Sequence, residues 1–455
     1  MNNVLDLIDQ AAFLAERATR STNVLQCCWL YREGVDLDGL RRFHHHLQRG
    51  RLARRIERSP LPFGRHRWVS APASTQLEIV ESRYSRSQFD AWLDEQADLP
   101  LDVERGPGWH LAVLPFTDGG AGVSFVTTHC LTDGVGFCAA LADAADGRDD
   151  PINWPAARSR RRWRALGRDT RQTARDLPEV GRALRAAARL ARDTRGTGRT
   201  AAPAPARFAR PDGRVALATA TLFVDGAWWD ARARALGGTS NALLAAVTAR
   251  LARQTGRVTT EGVATVAIPV NERVVGDTRA NAITAVDIEV DSTAVTTDLT
   301  AVRAAVKNAL IHRGSAPDER SGLLPLTPWL PRWAVRRMVG VALGGATTSG
   351  SSNLGPIDPA VNRPDGNDAD CMAMRSLYPR ATRATMRPTG GLLGVVSGRV
   401  DNRIFLSALS HRPAGRNSNP QLQKDFSEVL REFGILATAG WPTAEHNAHN
   451  RAECG

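Results

Sequence analysis

A glycine- and proline-rich stretch near the middle of the chain limits most strongly how this sequence can fold. Residues 196–213 read GTGRTAAPAPARFARPDG, which is typical of a linker rather than of a helix or strand. The chain has 455 residues, too many for one ordinary domain, so we place the main internal boundary near residue 205. The predicted parts are an N-terminal lobe at 1–155, an arginine-rich crossover at 156–205, a C-terminal lobe at 206–440 and a disordered tail at 441–455.

Hydrophobic periodicity predicts strands and helices on both sides of that boundary. Residues 121–129, AGVSFVTTH, alternate in period two, so Val123, Phe125, Thr127 and His129 are expected to share one face of a strand. The other predicted strands are 108–116, 215–224, 264–270 and 285–290, and the predicted helices are 35–47, 134–145, 241–254 and 299–312. Because strand and helix recur in both halves, we predict an α/β (α+β) protein of two lobes.

Most of the net charge of +12 is concentrated in residues 157–200. This segment contains fourteen arginines and four acids, a net charge of +10. Part of it is predicted to form an amphipathic helix, because apolar residues recur there at helical spacing. The predicted apolar stripe consists of Val180, Leu184, Ala187, Ala188 and Ala191.

Three interpretations of this basic segment are open. It is a solvated crossover between the lobes, a surface that attracts anionic lipid headgroups or the phosphates of coenzyme A, or a nucleic-acid site. The last is disfavoured because no zinc-finger, helix-turn-helix or RNP-like pattern accompanies it. A second stretch, 323–333 with the sequence LLPLTPWLPRW, suits a membrane interface and a lobe-packing helix equally well.

The strongest local signal is the heptapeptide THCLTDG at 128–134. His129 ends a predicted core strand, a short turn follows, and Thr132 or Asp133 is placed to cap the next helix. Reactive side chains are often placed where a strand ends at a crevice. An imidazole there can take a proton from an alcohol or amine, while Asp133 holds the turn that orients the ring. A buried structural histidine is the alternative that spacing alone leaves open.

Several other kinds of site are not supported by the sequence. Neither a Walker-type phosphate loop nor a G-x-S-x-G nucleophile elbow is present. The six cysteines include no C-x-x-C pair, which disfavours a zinc ribbon or disulfide framework and suggests a reduced, intracellular protein. His44, His45 and His46 are expected to be solvated on a surface helix rather than to hold a metal, so no metal site is predicted.

Around its histidine motif, and over about residues 5–412, the chain resembles the bacterial wax ester synthase/diacylglycerol acyltransferase family. That family belongs to a superfamily that shares an H-H-x-x-x-D-G motif with condensation domains. The matching segments follow one another in the order found in the family. They are LIDQAAFL at 7–14, PGW at 107–109, GGTSNAL at 237–243, IPVNER at 268–273 with Ala280-Asn281 after it, and SSNLGP at 351–356.

This resemblance implies a two-lobed fold like chloramphenicol acetyltransferase, with an active-site tunnel between the lobes. It implies that His129 is the catalytic base and that Asp133 assists it by pairing with Arg273, with Gly134 structural at the site. The expected substrate-binding residues are Thr128, Asn241, Ser352 and Asn353. No cofactor is expected besides acyl-CoA as a substrate.

Four positions depart from the family pattern. Thr128 replaces the first histidine of the motif, and because successive strand residues point to opposite faces, it is expected to face away from His129. Asn241-Ala242 stands for the family's N-D pair, Asn271-Glu272 precedes the arginine, and Gly108 replaces a leucine. These changes concern substrate identity more than reaction type.

The function implied by the resemblance is transfer of a fatty acyl group from acyl-CoA to a long-chain alcohol or diacylglycerol, forming wax ester or triacylglycerol. The alternatives are a condensation-type enzyme that makes an ester or amide from a carrier-protein or CoA thioester, and a non-catalytic lipid-binding relative. We expect a cytoplasmic location, peripheral on the inner membrane surface or a lipid droplet through the arginine-rich segment, and no nucleic-acid partner.

Overall fold

The computed structural model describes residues 3–71, 76–148, 152–196, 213–315, 321–336, 347–386, 390–413 and 415–441. The strands are β1 (Val24–Tyr31), β2 (Arg54–Glu57), β3 (Arg67–Ser70), β4 (Glu78–Ile79), β5 (Trp109–Pro115), β6 (Ala121–Thr128), β7 (Ala218–Asp225), β8 (Val263–Asn271), β9 (Ile283–Asp291), β10 (Thr348–Pro356), β11 (Cys371–Leu377), β12 (Leu392–Val400), β13 (Arg403–His411) and β14 (Thr438–Ala439). The helices are α1 (Leu7–Thr19), α2 (Leu37–Leu47), α3 (Phe89–Ala97), α4 (Gly134–Ala145), α5 (Arg162–Gly196), α6 (Gly226–Ala235), α7 (Ser240–Gln254), α8 (Thr300–Ser315), α9 (Arg383–Met386) and α10 (Asn419–Glu432). Short 3₁₀ helices span Arg86–Gln88, Ser321–Trp329 and Pro359–Asn362. Most of the predicted linker and tail fall outside the described residues.

Each lobe is built on one large sheet with its own apolar core. The first sheet has five strands in the order β11-β1-β6-β5-β4, and the second has seven in the order β14-β7-β13-β12-β10-β8-β9. All residues of β1 and β6 are buried, so the central strands of the first sheet are covered on both faces. In the second lobe, α7 and α10 pack their apolar side chains into a core shared with the sheet.

Strand β11 comes from the second half of the chain but completes the first sheet. It pairs antiparallel with β1, placing Cys371 opposite Leu30. The segment before β11 is also held by the first lobe, where Trp29 Nε1 donates to the Val361 carbonyl at 2.8 Å and Tyr31 donates to Asp365 Oδ1 at 3.0 Å. The chain therefore returns from the second lobe to the first at β11. No single point in the sequence divides the two lobes.

Helix α5 contains most of the arginine-rich segment and confirms that part of this segment is helical. The predicted apolar stripe is wrong in part. Val180 is buried as expected, but Leu184 is 57% exposed, and Ala183 is buried in its place. We infer that apolar side chains alone do not determine which face of α5 meets the protein.

An ion-pair cluster fixes the N-terminal part of α5 to the first lobe. The carboxylate of Asp169 is buried and accepts from Arg67 Nη2 at 2.9 Å and from Arg160 Nη1 at 3.0 Å. Ser59 also donates to it at 2.7 Å. Because these groups satisfy the buried carboxylate, an acidic residue occupies the inner face of a helix that periodicity would otherwise fill with apolar residues.

The three consecutive histidines of α2 differ in exposure. His45 is exposed, as predicted. His44 is buried, and its ring lies edge-on to Trp109 with the ring centres 5.4 Å apart. The prediction that all three are solvated is wrong for His44, because α2 packs this face against the lobe.

No helix within the described ranges has a stretch long and apolar enough to cross a lipid bilayer.

Candidate active site

His129 immediately follows β6, where the strand turns toward α4. Its main chain is held on both sides: the amide donates to the Asn23 carbonyl at 2.8 Å, and its carbonyl accepts from Asn281 Nδ2 at 3.2 Å. The residue as a whole is partly exposed. The histidine therefore has a fixed backbone at the end of a core strand.

Burial lowers the pKa of His129 below its ordinary value of 6.5. Three weaker influences oppose this shift: a hydrogen bond with its own main chain, the negative charge of Asp133, and the side-chain amide of Asn281. At neutral pH the ring is thus uncharged, which is the form able to accept a proton.

Asp133 caps α4, which begins and ends at the predicted residues 134 and 145. Its side chain is fully buried, and Oδ1 accepts from the Gly136 amide at 2.7 Å. Oδ2 accepts from the Ala282 amide at 2.7 Å and from Arg273 Nη2 at 2.8 Å. The Asp133 carboxylate therefore joins the first lobe to the segment between β8 and β9 of the second lobe.

Arg273 lies opposite Asp133 with only 10% of its side chain exposed. Its guanidinium also donates to the carbonyls of Ala280 at 2.9 Å and Arg279 at 3.0 Å. A Cβ atom at position 136 would lie 3.0 Å from Arg273 Nη2 and 2.7 Å from Thr132 Oγ1. Glycine at 136 is thus required for the close approach of the arginine.

Asp9 is a further buried carboxylate that binds the same connecting segment. It accepts from the amides of Ala280 at 3.0 Å and Asn281 at 2.8 Å, and from Asn281 Nδ2 at 3.2 Å. Burial raises the pKa of Asp9, and the charge of Arg54 and these hydrogen bonds oppose the rise. Since Asn281 Nδ2 contacts both Asp9 and the His129 carbonyl, the carboxylate on α1 fixes the amide beside the histidine.

Arg54 also joins the motif to the second lobe. Its guanidinium donates to the Leu131 carbonyl at 2.7 Å and to the Thr278 carbonyl at 2.6 Å. It lies 4.2 Å from the centre of the Trp68 ring, and burial lowers its pKa to about 10. Sequence reasoning missed Arg54 as a site residue, because no local pattern links residue 54 to residues 131 and 278.

The predicted substrate-binding residues Asn241 and Asn353 are brought together. Asn353 Nδ2 donates to Asn241 Oδ1, which joins β10 to the start of α7. Ser352 is the neighbour of Asn353 on β10 and is partly exposed. A Cβ atom at Gly134 would lie 2.8 Å from Leu354 Cδ2, so this end of β10 also reaches the start of α4.

Thr128 lies in a separate polar cluster. It is fully buried, and its hydroxyl donates to Glu16 Oε2 at 3.0 Å; the thiol of Cys130 donates to the same oxygen at 3.1 Å. Burial raises the pKa of Glu16, and it raises that of the Cys130 thiol well above 9.0. The thiol is therefore protonated and poorly suited to act as a nucleophile.

The arrangement can supply an uncharged imidazole on a rigid turn that both lobes hold. No group of three or more His, Cys, Asp or Glu side chains able to hold a metal ion occurs in the part of the chain that is described. Asp9 and Asn281 were also missed as site residues, although the segments 7–14 and 280–281 carried the family resemblance. That resemblance was the available signal for both.

No known family profile matches the sequence. No curated protein of similar sequence is found either. Solved structures do share the fold. The first condensation domain of the CDA synthetase matches with a TM-score of 0.57 and 17% identity, covering 95% of this chain and 95% of that one.

Two further structures match over nearly the whole chain. The wax ester synthase/diacylglycerol acyltransferase of Marinobacter aquaeolei has a TM-score of 0.55 and 15% identity, covering 95% of this chain and 98% of its own. Polyketide synthase associated protein 5 of Mycobacterium tuberculosis has a TM-score of 0.54 and 15% identity, covering 94% and 97%. The predicted α/β (α+β) fold class, of the condensation-domain and wax ester synthase type, is confirmed.

Proposed function

We propose that the protein is an O-acyltransferase that moves a fatty acyl group from acyl-CoA to a long-chain alcohol or diacylglycerol, with His129 as general base. The observation that carries this proposal is the placement of His129, a partly exposed residue whose pKa is lowered below 6.5, on a turn held by both lobes. The shared fold supports an acyltransferase in general, and the family resemblance in the sequence motifs supports the neutral-lipid substrates.

The proposed reaction is a direct attack on the thioester. The imidazole of His129 takes the proton of the acceptor hydroxyl as the oxygen attacks the thioester carbonyl. The tetrahedral intermediate then collapses, breaking the carbon–sulfur bond, and the imidazolium returns the proton to the departing coenzyme A thiolate. The products are an ester and free coenzyme A, and the reaction requires no cofactor besides the acyl-CoA substrate.

Asp133 and Arg273 act as positioning residues in this proposal. Their buried ion pair, with the amides of Gly136 and Ala282, fixes the turn that carries the imidazole. No covalent acyl-enzyme is required. This agrees with the protonated states of Cys130 and of Cys138, whose pKa burial raises to about 12.

The test is product analysis with the wild-type protein and a His129→Ala variant. Wild-type protein is expected to convert palmitoyl-CoA and either hexadecanol or diacylglycerol into an ester detectable by mass spectrometry. His129→Ala should reduce thioester turnover by roughly 10²- to 10⁴-fold, because proton transfer to the imidazole is lost. A His45→Ala variant, altered at an exposed histidine on α2, serves as the control and should turn over like wild type. Undiminished turnover by His129→Ala would contradict the assignment of the base.

A condensation-type reaction with a carrier-protein thioester is a second candidate. The full-length match to a condensation domain favours it as much as the other matches favour a wax ester synthase. The same chemistry at His129 would then form an ester or amide of a natural product. Turnover with acyl-carrier-protein donors, and none with acyl-CoA, would select this candidate. If neither donor is consumed, a non-catalytic lipid-binding protein remains the proposal.

The location that we propose for the reaction is the cytoplasm, with the protein peripheral on the inner membrane surface or a lipid droplet. Long-chain alcohols and diacylglycerol are apolar acceptors that collect in such lipid phases. A protein that binds there would meet its acceptor at high local concentration.

A further inference from the structure

The outward face of helix α5 carries many basic side chains. Every arginine between positions 161 and 192 is exposed, which makes ten in all. They are Arg161, Arg162, Arg164, Arg168, Arg171, Arg175, Arg182, Arg185, Arg189 and Arg192. Among them, an ion pair with a described residue is present for Arg182, whose guanidinium lies 3.8 Å from Glu179. Fixed partners within the protein therefore do not account for this charge.

The acids of α5 do not neutralise that face. Asp169 is buried in its ion-pair cluster, and Asp176 lies toward Arg65 at 3.8 Å. Glu179 is the exposed acid between positions 161 and 192. The helix thus presents a nearly uniform positive field to the solvent.

Three large apolar side chains of α5 are also exposed. Trp163 is 84% exposed, Leu177 is 52% exposed and Leu184 is 57% exposed. Trp163 and Leu177 are slightly less than four helical turns apart, and Leu177 and Leu184 slightly less than two, so the three lie within a stripe about 60° wide around the helix. Large apolar side chains at that level of exposure indicate a surface used for contact.

Four of the arginines form a second row, which lies about 100° or more around the helix from the middle of the apolar stripe. Arg164, Arg171, Arg182 and Arg189 follow one another at intervals of seven, eleven and seven residues, which again are close to whole numbers of turns. With 35 residues, α5 is about 50 Å long. Two aromatic rings also lie close to α5. The rings of Phe63 and Trp329 stack with their centres 4.4 Å apart, in a crevice that Thr173 and Val180 of α5 also line.

We propose that this face of α5 docks the protein on a membrane surface that carries anionic lipid headgroups. The arginine row would lie at the level of the phosphates, while Trp163, Leu177 and Leu184 would enter the boundary between headgroups and acyl chains. A flat bilayer suits these long rows of side chains better than the small footprint of an acidic carrier protein. The exposed apolar row is unnecessary for binding nucleic acid, which disfavours a duplex as the partner.

The test is cosedimentation of the full-length protein with lipid vesicles. Wild-type protein is expected to bind phosphatidylcholine vesicles containing about one-third phosphatidylglycerol, and to bind pure phosphatidylcholine at least about tenfold more weakly. Each basic side chain at the surface contributes about fivefold to such binding, so a triple variant with Arg164, Arg171 and Arg189 changed to Glu should bind at least about 100-fold more weakly. Raising the salt from about 50 to about 500 mM should weaken wild-type binding as well.

A matched triple variant controls for net charge. Arg83, Arg105 and Arg303 are exposed at sites outside α5, and changing all three to Glu alters the total charge by the same amount. This variant should bind the anionic vesicles within about threefold of wild type, since the docking face is intact. Equal losses in the two triple variants would overturn the proposal, as would equal wild-type binding to anionic and neutral vesicles.

Further measurements address the apolar row and the alternative partners. Brominated phosphatidylglycerol should quench wild-type tryptophan fluorescence, and part of that quenching should disappear in Trp163→Phe, which keeps an aromatic ring. Binding to duplex DNA or to an acidic carrier protein, without binding to anionic vesicles, would overturn the proposal. The inference does not depend on the proposed chemistry, and a His129→Ala variant should bind vesicles like wild type.

Discussion

Opposing influences act on the pKa of the His129 imidazole. Burial disfavours the protonated ring, whereas Asp133 and Asn281 favour it. The net effect is a pKa below 6.5, which leaves the base form present at neutral pH. The residues around the ring therefore influence the pKa of the imidazole. The same residues also hold the turn that carries it.

This balance predicts how activity depends on pH. The proposed reaction requires the base form of His129, so kcat/KM should fall as the pH decreases through the pKa of the free enzyme. Because burial lowers that pKa, the midpoint of the fall is expected below 6.5, with little change between neutral pH and pH 8. Thioester turnover measured from pH 4.5 to pH 8 with a constant-ionic-strength buffer checks this expectation.

An Asn281→Leu variant sharpens the same measurement. The side-chain amide of Asn281 raises the pKa of His129, so its removal should move the midpoint to a still lower pH. A variant that merely loosens the fold would lose activity without such a shift. A wild-type midpoint at or above 6.5 would be inconsistent with the buried, uncharged ring.

The sequence allowed some of these residues to be predicted, but not others. The ion pair of Asp133 with Arg273 is present as the family motif implies. Asp9 and Arg54 could not be assigned from local pattern, since each acts on residues more than 70 positions away in the chain. Long-range polar contacts of this kind leave no periodic signal, and they become visible only when the lobes are placed together.

Helix α4 shows how a single element can serve both packing and the site. A Cβ atom at Gly134 would lie 2.8 Å from Leu354 Cδ2, and one at Gly136 would lie 3.0 Å from Arg273 Nη2, so a side chain at either position would require its neighbours to shift. Gly167 on α5 is the opposite case, because a Cβ atom there would meet no atom within 4 Å. Glycine is thus constrained by close packing at the start of α4 and not at position 167 of α5.

This contrast predicts opposite effects of the same substitution. Gly136→Ala should lower the melting temperature and the proposed acyltransferase activity, because its Cβ would lie 2.7 Å from Thr132 Oγ1 and 3.0 Å from Arg273 Nη2. Gly167→Ala should raise the free energy of unfolding by about 0.5–1 kcal/mol, since alanine favours the helix and fits without strain. Thermal unfolding of both variants tests the pair, and a Gly136→Ala variant as stable and active as wild type would show that the close packing has been misjudged.

Element boundaries were predicted well where periodicity was strong. Helix α4 matches its predicted bounds, and α7 begins one residue before the predicted 241. The buried face of α5 was not predicted, because Asp169 occupies it through ion pairs. The hydrophobic pattern indicates a helix reliably. It cannot indicate which polar residues will be buried with hydrogen-bond or ion-pair partners from elsewhere in the chain.

Contacts between residues of the first and second halves of the chain hold the whole molecule together. The β8–β9 segment of the second lobe binds Asp9, Arg54 and Asp133 of the first, and β11 completes the first sheet. No sequence signal indicated that β11 would pair with β1, since pairing between distant strands depends on the complete fold. The lobes are therefore expected to depend on each other for stability.

This interdependence predicts the behaviour of separated halves. Residues 1–205 produced alone should lack a cooperative unfolding transition, because β1 has no β11 beside it and buried groups of the site lack partners. The same piece produced together with residues 206–455 should form a complex with a sharp transition in urea. A sharp transition for residues 1–205 alone would show that the first lobe is independent.

Strand β11 also has a consequence for biosynthesis. The ribosome releases Tyr31 of β1 long before Cys371 of β11, 340 residues later. At about 5–20 residues per second, the nascent first lobe waits roughly 20 to 70 seconds for its last strand. Throughout that interval β1, with the sequence VLQCCWLY, is an apolar edge open to other polypeptides. We therefore expect the yield of folded protein in the cell to depend on chaperones that shield this edge until translation is almost complete.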